Sequence, residues 1–457
     1  MIKNFFLAFA MCLSLGFTIF PTNQGTMNKI IAIRREDKNK WEKRTPLVPS
    51  DVKELKEKYK IHTIVQPSSI RIFTDQEYID AGAEINEDLN CASLILAVKE
   101  IPEKLFEYKK TYMFYSHTIK GQSYNMPMLK HMMSLKTNLI DYERIIYENN
   151  KNLISSSRHA GLAGMIESFY ALGQKLKLND FDTPFSKIKQ AYEYESLEEA
   201  RKEINLIGEQ IKNQGLPKEI CPLVIGFSGY GNVSKGAQEI FDLLPHKKIT
   251  PSELIKNYEN FSHDNKYLYK IIFKEEDLVK PIIGKFDLQK YYKFPEKYES
   301  QFERYISFLT MLVNCIYWTD SYPKLITKSY LQNNSNINLK IIGDISCDID
   351  GAIEITNKST QPDNPCFTYL SDKDEYIDGI QENGITIMAV DNLPCEFAKE
   401  ASIEFSYALK KFANEIVSAN YNDTFENLDL PNPIKKALIL HNGSLTNEYR
   451  YMENYLN

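Results

Sequence analysis

The sequence predicts an α/β protein with two units, each built on a mainly parallel sheet whose strands are joined by helices. Two observations carry this prediction. Short apolar runs alternate with helical patterns from Met27 to about Tyr147, and a nearly continuous apolar strand from Cys221 leads into a glycine-rich turn and a helix. The length of 457 residues fits two or three domains.

Composition and charge exclude several classes of protein. Apolar residues make up 43% of the chain and charged residues 25%, as in globular proteins. The net charge of -6 provides no basic field for nucleic-acid recognition, so we expect no nucleic-acid partner. The seven cysteines include no CxxC pair and no histidine lies nearby at metal-ligand spacing, which indicates reduced thiols and no metal site.

The first 26 residues are interpreted apart from the domains. Residues 5–20 are apolar behind a single lysine, as in a secretory signal. Three interpretations stay open: a targeting segment, a membrane anchor, or an upstream-start artefact with translation beginning at Met27. No later run has the length of a membrane span, so we expect no membrane partner. Because residues 1–26 contain no arginine, a cytoplasmic location is favoured, with the mitochondrial matrix as the alternative.

The first unit is predicted over residues 27–160, where strand and helix patterns alternate as in a parallel sheet with crossovers. Ser50 and Thr74 precede helical patterns and are expected to begin those helices. The alternating runs are IIAIR, SDVKELKEKY, HTIVQ, TDQEYIDAG, ASLILAVKE, TYMFYS, MPMLKHMMSLK and TNLIDY.

The second unit is predicted over residues 161–391. A long helix over residues 159–178 enters it. Residues 250–305 are rich in Tyr, Lys and Asp without a clear period, which indicates an insertion of unassigned function. Further strands are predicted at 338–346 and 384–391, before a helix over 395–412.

A candidate phosphate-binding turn follows the strand that begins at Cys221. Gly229 suits a tight turn, and Gly231 lets backbone N–H groups approach a pyrophosphate at a helix N-terminus. Asn232 and Val233 begin the helix and complete the candidate cofactor site. The third glycine of the plain fingerprint is replaced by Ser234, with Gly236 two residues later. The alternative is a strand-to-helix turn without a ligand.

The residues after this turn bear on the type of dinucleotide. An acidic residue about 20 positions on binds the ribose hydroxyl of NAD, whereas positive charge suits the 2′-phosphate of NADP. Lys247 and Lys248 lie in this region, while Glu253 follows a proline at the start of a helix. The pattern favours NADP(H), with NAD(H) as the alternative.

Ionisable side chains follow three predicted strands of the first unit. Lys99 and Glu100 end one strand, His117 follows the next, and Glu143 follows the third. Since the carboxyl ends of parallel strands share one edge, we expect proton transfer there by a lysine of lowered pKa, with Glu143 orienting it or holding it charged. For each of these side chains considered alone, the alternative to a role in proton transfer is a structural role or simple exposure to solvent.

Arginines follow the first strand. Arg34, Arg35 and Arg44 lie in a polar segment at the same predicted edge. Guanidinium groups bind carboxylates in a bidentate manner, so we predict that they bind substrate carboxylates. The alternative is surface charge on a loop.

Nine strings together resemble a known family along almost the whole chain from Lys29. They are IAIRREDKNKWEKRTPLVPSD, LILAVKEIP, YSHTIKGQSYNM, LIDYERI, AGLAGMI, GYGNVSKGAQEIF, CIYW, GDISCDIDGAIE and DNLPCEFAKEAS. The family is the lysine–2-oxoglutarate reductase unit of the aminoadipic semialdehyde synthases, within the wider alanine dehydrogenase, transhydrogenase and saccharopine dehydrogenase family.

The resemblance implies two Rossmann-like, doubly wound domains with the active site in the cleft between them, the first domain being completed by residues 392–457. It implies that Lys99 and His117 are the acid–base pair and that Arg44 and Glu143 belong to the substrate shell, to which we add Arg34 and Glu100. The residues it places around the cofactor are Gln122, Gly231, Asn314, Asp344 and Ser346.

The activity implied by the resemblance is condensation of L-lysine with 2-oxoglutarate and reduction of the imine with NADPH to saccharopine, the first step of lysine degradation. A separate protein is expected to oxidise saccharopine. One departure is the segment before residue 160, where the family has an arginine-containing strand and this chain has Ser155-Ser156-Ser157-Arg158. We expect Arg158 to supply a displaced guanidinium. Alternatives are an NAD-dependent saccharopine dehydrogenase, an alanine dehydrogenase-like enzyme, and a catalytically silent ligand-binding relative.

Overall fold

The computed structural model describes residues 29–146, 152–261, 264–334 and 337–456, and the interpretations of residues 1–26 lie outside this part of the chain. The strands of the described residues are, in chain order, β1 (Ile30–Ile33), β2 (His62–Val65), β3 (Glu84–Ile85), β4 (Leu94–Leu96), β5 (Thr111–Phe114), β6 (Asn138–Asp141), β7 (Val224–Ser228), β8 (His246–Lys248), β9 (Leu268–Phe273), β10 (Val279–Pro281), β11 (Tyr298–Ser300), β12 (Met311–Asn314), β13 (Ile341–Asp344), β14 (Cys366–Leu370), β15 (Glu375–Asp378), β16 (Ile385–Met388), β17 (Leu438–His441) and β18 (Ser444–Leu445).

The α-helices of the same residues are α1 (Pro49–Tyr59), α2 (Asp75–Asp80), α3 (Met126–Ser134), α4 (Ser157–Leu178), α5 (Leu197–Gln214), α6 (Asn232–Phe241), α7 (Pro251–Phe261), α8 (Glu275–Leu278), α9 (Leu288–Lys293), α10 (Lys328–Asn333), α11 (Ala398–Ser418) and α12 (Asn432–Lys436). Thr74 is the N-cap of α2, as predicted, and its hydroxyl accepts the Glu77 N–H. The prediction for Ser50 is wrong, because α1 begins one residue earlier at Pro49, which suits a first helical position.

The first sheet has the strand order β18-β17-β6-β5-β4-β1-β2-β3. The strands from β6 to β3 are parallel, whereas β17 runs antiparallel to β6 and β18 antiparallel to β17. The C-terminal segment therefore joins the sheet that residues 30–141 begin, and α11 packs on α1. The domain limits at residues 160 and 391 stay a prediction.

The second sheet has the order β15-β14-β16-β13-β12-β7-β9-β8. It is parallel from β16 to β8 and antiparallel at β14 and β15. Central strands such as β7, β12 and β13 are buried throughout, as expected where helices cover both faces of a parallel sheet. The two sheets confirm the predicted two-unit α/β fold.

The sequence pattern missed β9, which the prediction placed inside an irregular insertion. The strand LYKIIF lies between β7 and β8, so residues 268–273 belong to the sheet. Its apolar run is broken by Lys270, which is buried and pairs with Asp242 while its ammonium lies 5.8 Å from the Phe227 ring centre. The pairing of that charge depends on the fold, and the local sequence gives no sign of it.

Two glycines let α4 and α6 approach closely. A Cβ atom at Gly161 would lie 2.0 Å from the Val233 carbonyl oxygen, and one at Gly236 would lie 2.1 Å from the Arg158 carbonyl oxygen. Gly236 thus performs the close-packing role that the plain fingerprint gives to its third glycine, while Ser234 is buried and accepts a hydrogen bond from Gln238.

A pair of buried carboxyl groups joins α4 to the short helical segment Leu393–Phe397, which leads back to the first sheet. Burial raises the pKa of both Glu167 and Glu396, and their mutual repulsion raises that of Glu396 further. Among the described residues, both Glu396 oxygens and one Glu167 oxygen have no other hydrogen-bond partner. A proton held between the two carboxyl groups joins one oxygen of each.

Gly236→Ala is expected to lower the free energy of unfolding by about 1–3 kcal/mol, because the new methyl group meets a backbone carbonyl that cannot rotate away. Urea unfolding measures the change. Lys235→Ala, on the exposed face of the same helix, is the control and should stay within about 0.5 kcal/mol of wild type. Equal stability of the two variants would contradict the close packing.

Candidate active site and dinucleotide cleft

A cavity of about 580 Å³ lies where the two halves of the molecule meet. The second half contributes the glycine turn at residues 229–233, Glu275, residues 315–318 after β12, and Ser346 and Asp348 after β13, whereas the first unit and the start of α4 contribute Lys120 and Ser157. The carboxyl ends of parallel strands thus open into a cleft, where α/β folds of this type bind ligands.

The glycine turn has the shape that a bound pyrophosphate requires. Gly229 has a φ of +87°, which only glycine adopts freely. A Cβ atom at Gly231 would meet nothing within 4 Å, so the backbone before α6 is open to the cavity. Asn232 and Val233 form the first turn of α6, whose N–H groups have no partner within the helix. These features fit a dinucleotide phosphate group.

The predicted cofactor residues beyond the turn divide into two groups. Ser346 lines the cavity, and its hydroxyl donates to the Ile316 carbonyl at 2.6 Å. Asn314 and Asp344 lie buried beneath it: the Asn314 amide donates to Asp344 at 2.9 Å and accepts from Ser228 at 2.7 Å. This network joins the ends of β7, β12 and β13, and burial raises the pKa of Asp344 to about 6.

Gln122 holds the backbone of Lys120, a residue that lines the cavity. Its side-chain oxygen accepts the Lys120 N–H at 3.0 Å, and Lys120, rather than Gln122, is the residue that lines the cavity. The Lys120 ammonium lies 5.1 Å from the ring centre of Tyr317 across the cleft. The structure thus places Gln122 in the supporting loop.

Arg44 is at the centre of a buried network that joins both halves. Its Nε and Nη2 donate to Glu42 at 2.7 and 2.6 Å, and Nη2 also donates to Asn392 at 3.0 Å. Its Nη1 donates to Ser156 before α4 at 3.3 Å, and Asn392 donates back to Glu42 at 2.7 Å. Burial alone would raise the pKa of Glu42, but the charge and hydrogen bonds of Arg44 outweigh it and lower that pKa.

Lys99 follows β4 at the edge that the sequence predicts. Glu36 fixes the backbone there, since its carboxylate accepts the N–H groups of Val98 at 2.6 Å and Lys99 at 2.9 Å. Burial, and then the positive charge of Arg44, lowers the pKa of Lys99. The carboxylates that oppose this shift are Glu42 and Glu100.

His117 and Glu100 form a hydrogen-bonded pair across β4 and β5. The distance from His117 Nδ1 to Glu100 Oε1 is 2.6 Å, and the Lys38 ammonium lies 3.3 Å from the other oxygen of Glu100. Burial opposes ionisation of Glu100, but the hydrogen bond and charge of His117 lower its pKa to about 2. The Asn125 amide donates to the His117 carbonyl at 3.2 Å and supports a backbone with φ of +46°.

The side chains of two predicted substrate residues, Arg34 and Arg158, have other partners, whereas the contacts of Glu143 are made by its backbone. Arg34 is buried and pairs with Asp37, and it donates to the Arg35 carbonyl at 2.8 Å. Arg158 donates to both oxygens of Glu239 at 2.7 and 2.6 Å, so its guanidinium is paired with α6, and its role toward a substrate stays a prediction. Glu143 follows β6, where its N–H donates to Asp141.

The network around Lys99 contains three residues to which the sequence assigned no role, namely Glu36, Glu42 and Asn392. All three lie within strings that carried the family resemblance. The sequence pattern gave no sign of this network. Asn392, for example, is 348 positions from Arg44, so the two residues meet only in the folded chain.

The fold, the glycine turn and the cleft define a two-domain α/β protein of the dinucleotide-binding class. The chain belongs to the alanine dehydrogenase/PNT family, since the model of its N-terminal domain matches residues 32–163 and that of its C-terminal domain matches residues 288–448. Together these matches cover more than half of the chain.

Relatives and a solved structure agree with this assignment. Alpha-aminoadipic semialdehyde synthase of Arabidopsis thaliana is 39% identical over 93% of this chain, which spans 41% of that relative. The mitochondrial alpha-aminoadipic semialdehyde synthase of Mus musculus is 34% identical over 97% of this chain, which spans 48% of it. An L-alanine dehydrogenase structure superposes with a TM-score of 0.59 at 16% identity, covering 94% of this chain and 100% of that one, which shows the fold.

Two kinds of feature are absent from the described residues. No cluster of His, Cys, Asp and Glu side chains suited to a metal ion occurs among them. Within the same part of the chain, no helix combines the length and apolar character needed to cross a bilayer.

The Glu100–His117 pair predicts a defined pH dependence. Because the folded-state pKa of Glu100 lies below its unfolded value, its contribution to stability is fully present above pH 4.5 and is lost as the pH falls toward 2. Glu100→Gln should therefore cost about 1–2 kcal/mol at pH 7 and less at pH 3.5, measured by urea unfolding. Glu57→Gln, on the exposed face of α1, should show no such trend. An equal loss at both pH values would contradict the ion pair.

Proposed function

We propose that the chain is an oxidoreductase of lysine degradation that condenses L-lysine with 2-oxoglutarate and reduces the imine to saccharopine with a nicotinamide dinucleotide. One observation carries the proposal: the glycine turn of the second half opens into a cavity whose wall from the first half is Lys120, in the loop that follows β5 and His117. Similarity to the aminoadipic semialdehyde synthases over nearly the whole chain supports it. The chain spans less than half the length of those relatives, so their activity is proposed here and not transferred.

Proton transfer is the task proposed for Lys99 and His117. When the neutral ε-amine of the substrate attacks the keto carbon, the nitrogen loses one proton, and the carbonyl oxygen gains two, one of them from solvent, and leaves as water, which gives the protonated imine that accepts the hydride. Lys99, with a pKa lowered by burial, accepts the proton from nitrogen. His117, oriented by its hydrogen bond to Glu100, donates to the departing oxygen.

Arg44 is proposed to hold a substrate carboxylate. Its Nε and Nη2 are committed to Glu42 and Asn392, whereas Nη1 makes only the long contact to Ser156. A guanidinium carries five N–H donors, so Nη1 retains a donor for an incoming carboxylate. The buried pair with Glu42 keeps that group fixed in position before substrate arrives.

The reductant is proposed to be NADH or NADPH. Once bound, the reduced nicotinamide supplies the hydride for the imine carbon. The N–H groups of Asn232 and Val233 at the start of α6 are suited to hold the pyrophosphate, and the open backbone at Gly231 lets it approach.

A reducing compartment is proposed for the enzyme. The six cysteines of the described residues are all unpaired thiols, as in proteins of such compartments. The cytoplasm is the location we propose, and fractionation of cells against cytoplasmic and mitochondrial markers tests it.

The direct test is substrate-dependent oxidation of NADH and of NADPH by the full chain, followed by absorbance. We expect oxidation with lysine and 2-oxoglutarate together, none with either alone, and none with pyruvate and ammonia. Oxidation with pyruvate and ammonia instead would identify an alanine dehydrogenase-like enzyme, and dinucleotide binding without any turnover would identify a silent relative.

Lys99→Met is expected to lower kcat by roughly 100-fold or more, because it removes the proton acceptor and keeps the apolar stem of the side chain. Lys104→Met, at an exposed position after the same strand, is the matched control and should retain wild-type kcat. Wild-type turnover by Lys99→Met in saturating substrates would show that the acid–base role lies elsewhere.

A further inference from the structure

The loop between β1 and α1, residues 34–48, supports the proposed acid–base site and also contacts the other half of the molecule. Its Glu42 forms the buried ion pair with Arg44, the positive charge that acts on Lys99. Trp41 stands directly before Glu42 in the chain. A contact that fixes Trp41 therefore also restrains the residue on which the Arg44 network depends.

Trp41 packs on Tyr192, an aromatic side chain of the second half. The two ring centres lie 4.9 Å apart, and the ring planes are inclined by 57°. Tyr192 belongs to the short helical segment Ala191–Glu193, and the Ala191 side chain is part of the core that α4 forms with the second sheet. Neither ring lines the cleft cavity. The contact therefore joins the two halves at a place outside the cleft.

The backbone of the loop is held in place where it carries Trp41. The Asn39 side-chain oxygen accepts the N–H groups of Trp41 at 2.9 Å and Glu42 at 3.1 Å. The Lys40 ammonium lies 4.8 Å from the ring centre of Trp41 and 2.8 Å from the Asp363 carboxylate of the second half. Because both charges of that ion pair are exposed, it contributes little, and the ring contact is the principal link.

The surface that receives the indole ring is tied into the second half by two hydrogen bonds. The Ala191 N–H donates to Glu167 on α4 at 2.6 Å, and the Gln190 side-chain amide donates to the Pro362 carbonyl at 2.6 Å. Gln190 and Glu167 are both buried. The backbone that carries Tyr192 is thus fixed, so its ring can hold the loop at a defined distance from the second half.

We propose that Trp41 is a positioning residue for the acid–base site, and that its packing on Tyr192 holds the loop, and with it Arg44, in place beside Lys99. The inference rests on the proposed function in so far as Lys99 is the proton acceptor of that reaction. Trp41 does not line the cavity, so it acts through Glu42, the residue that follows it.

Loss of the ring contact should raise the pKa of Lys99. The charged and titratable groups that face Lys99 are Arg44, Lys38, Glu42, Glu100 and the Cys395 thiol. Burial lowers the pKa of Lys99 most and the charge of Arg44 next, whereas the two carboxylates oppose them. A loop that is no longer held admits water to Lys99 and lets Arg44 move away, so both lowering causes weaken. Since neutral Lys99 accepts the proton, the rising limb of the pH profile of kcat/KM should then move to higher pH.

The test replaces either ring with leucine in the full chain. With lysine, 2-oxoglutarate and the reduced dinucleotide, we expect Trp41→Leu to move the rising limb upward by about 0.5–1 pH unit. Tyr192→Leu, in the other half, should give the same shift, and the double variant no more than either alone, because one contact is lost in all three. Tyr192→Phe keeps the ring and should restore the profile. Tyr108→Leu, at an exposed aromatic side chain before β5, is the control and should keep the wild-type profile.

A second measurement does not depend on turnover. The neutral amine of Lys99 reacts with acetic anhydride, so the pH dependence of its acetylation, followed by peptide mass spectrometry, reports its pKa. The exposed Lys104 serves as the internal reference. The acetylation curve of Lys99 should move upward by the same amount in Trp41→Leu and in Tyr192→Leu, and should stay in place in Tyr108→Leu.

The outcomes separate this inference from the proposed function. An unchanged acetylation curve of Lys99 in a leucine variant that circular dichroism shows to be folded overturns the positioning role and leaves the reductase proposal intact. Activity that falls only with the folded fraction, with neither curve moved, also overturns it, since Trp41 then has a structural role alone. A shifted acetylation curve in a protein whose wild type turns over no lysine and 2-oxoglutarate supports the positioning role and overturns the reductase proposal. If Trp41→Leu does not fold, Tyr192→Leu decides the question from the other half.

Discussion

The buried ion pair between Arg44 and Glu42 is the interaction on which the arrangement of the cleft depends. Through Ser156 and Asn392 the same guanidinium reaches the start of α4 and the connection that returns from the second sheet, so one side chain joins three distant segments. Removing either charge would leave its partner buried and uncompensated, which is far costlier than losing a surface pair. The positive charge that holds the halves together also acts, after burial, to lower the pKa of Lys99.

The proposed proton transfer and the proposed dinucleotide binding belong to different halves of the molecule. The first sheet presents Lys99 and the Glu100–His117 pair at its strand ends, and the second presents the glycine turn. Each half uses backbone fixed by regular structure, which suits groups that must keep their geometry. The reaction proposed here requires both sets at once, so the connection around Asn392 governs the site as much as any residue that touches a ligand.

The local sequence pattern was sufficient to predict the parts of the site that directly follow apolar strands. The runs ending at Lys99 and His117 are short and strongly apolar, so the strand ends and their ionisable residues were predictable, as was the turn at Gly229. β9 was not, because a lysine interrupts it and only Asp242 makes that lysine tolerable inside the fold. Sheet order also depends on β9, since this strand, and not β8, pairs with β7 beside the glycine turn.

The shared proton between Glu167 and Glu396 has a consequence for how heat measurements on this protein are interpreted. Because burial raises the pKa of the folded pair, there is a pH range above the ordinary pKa of a carboxyl group in which the folded pair retains a proton that two separated, solvated carboxyl groups release. Unfolding therefore transfers that proton to the buffer, and the observed enthalpy contains the ionisation heat of whichever buffer is present. Unfolding enthalpies measured in buffers with different ionisation heats should differ in proportion to the number of protons released. The buffer dependence of the unfolding enthalpy therefore reports on the carboxyl pair that connects the two halves.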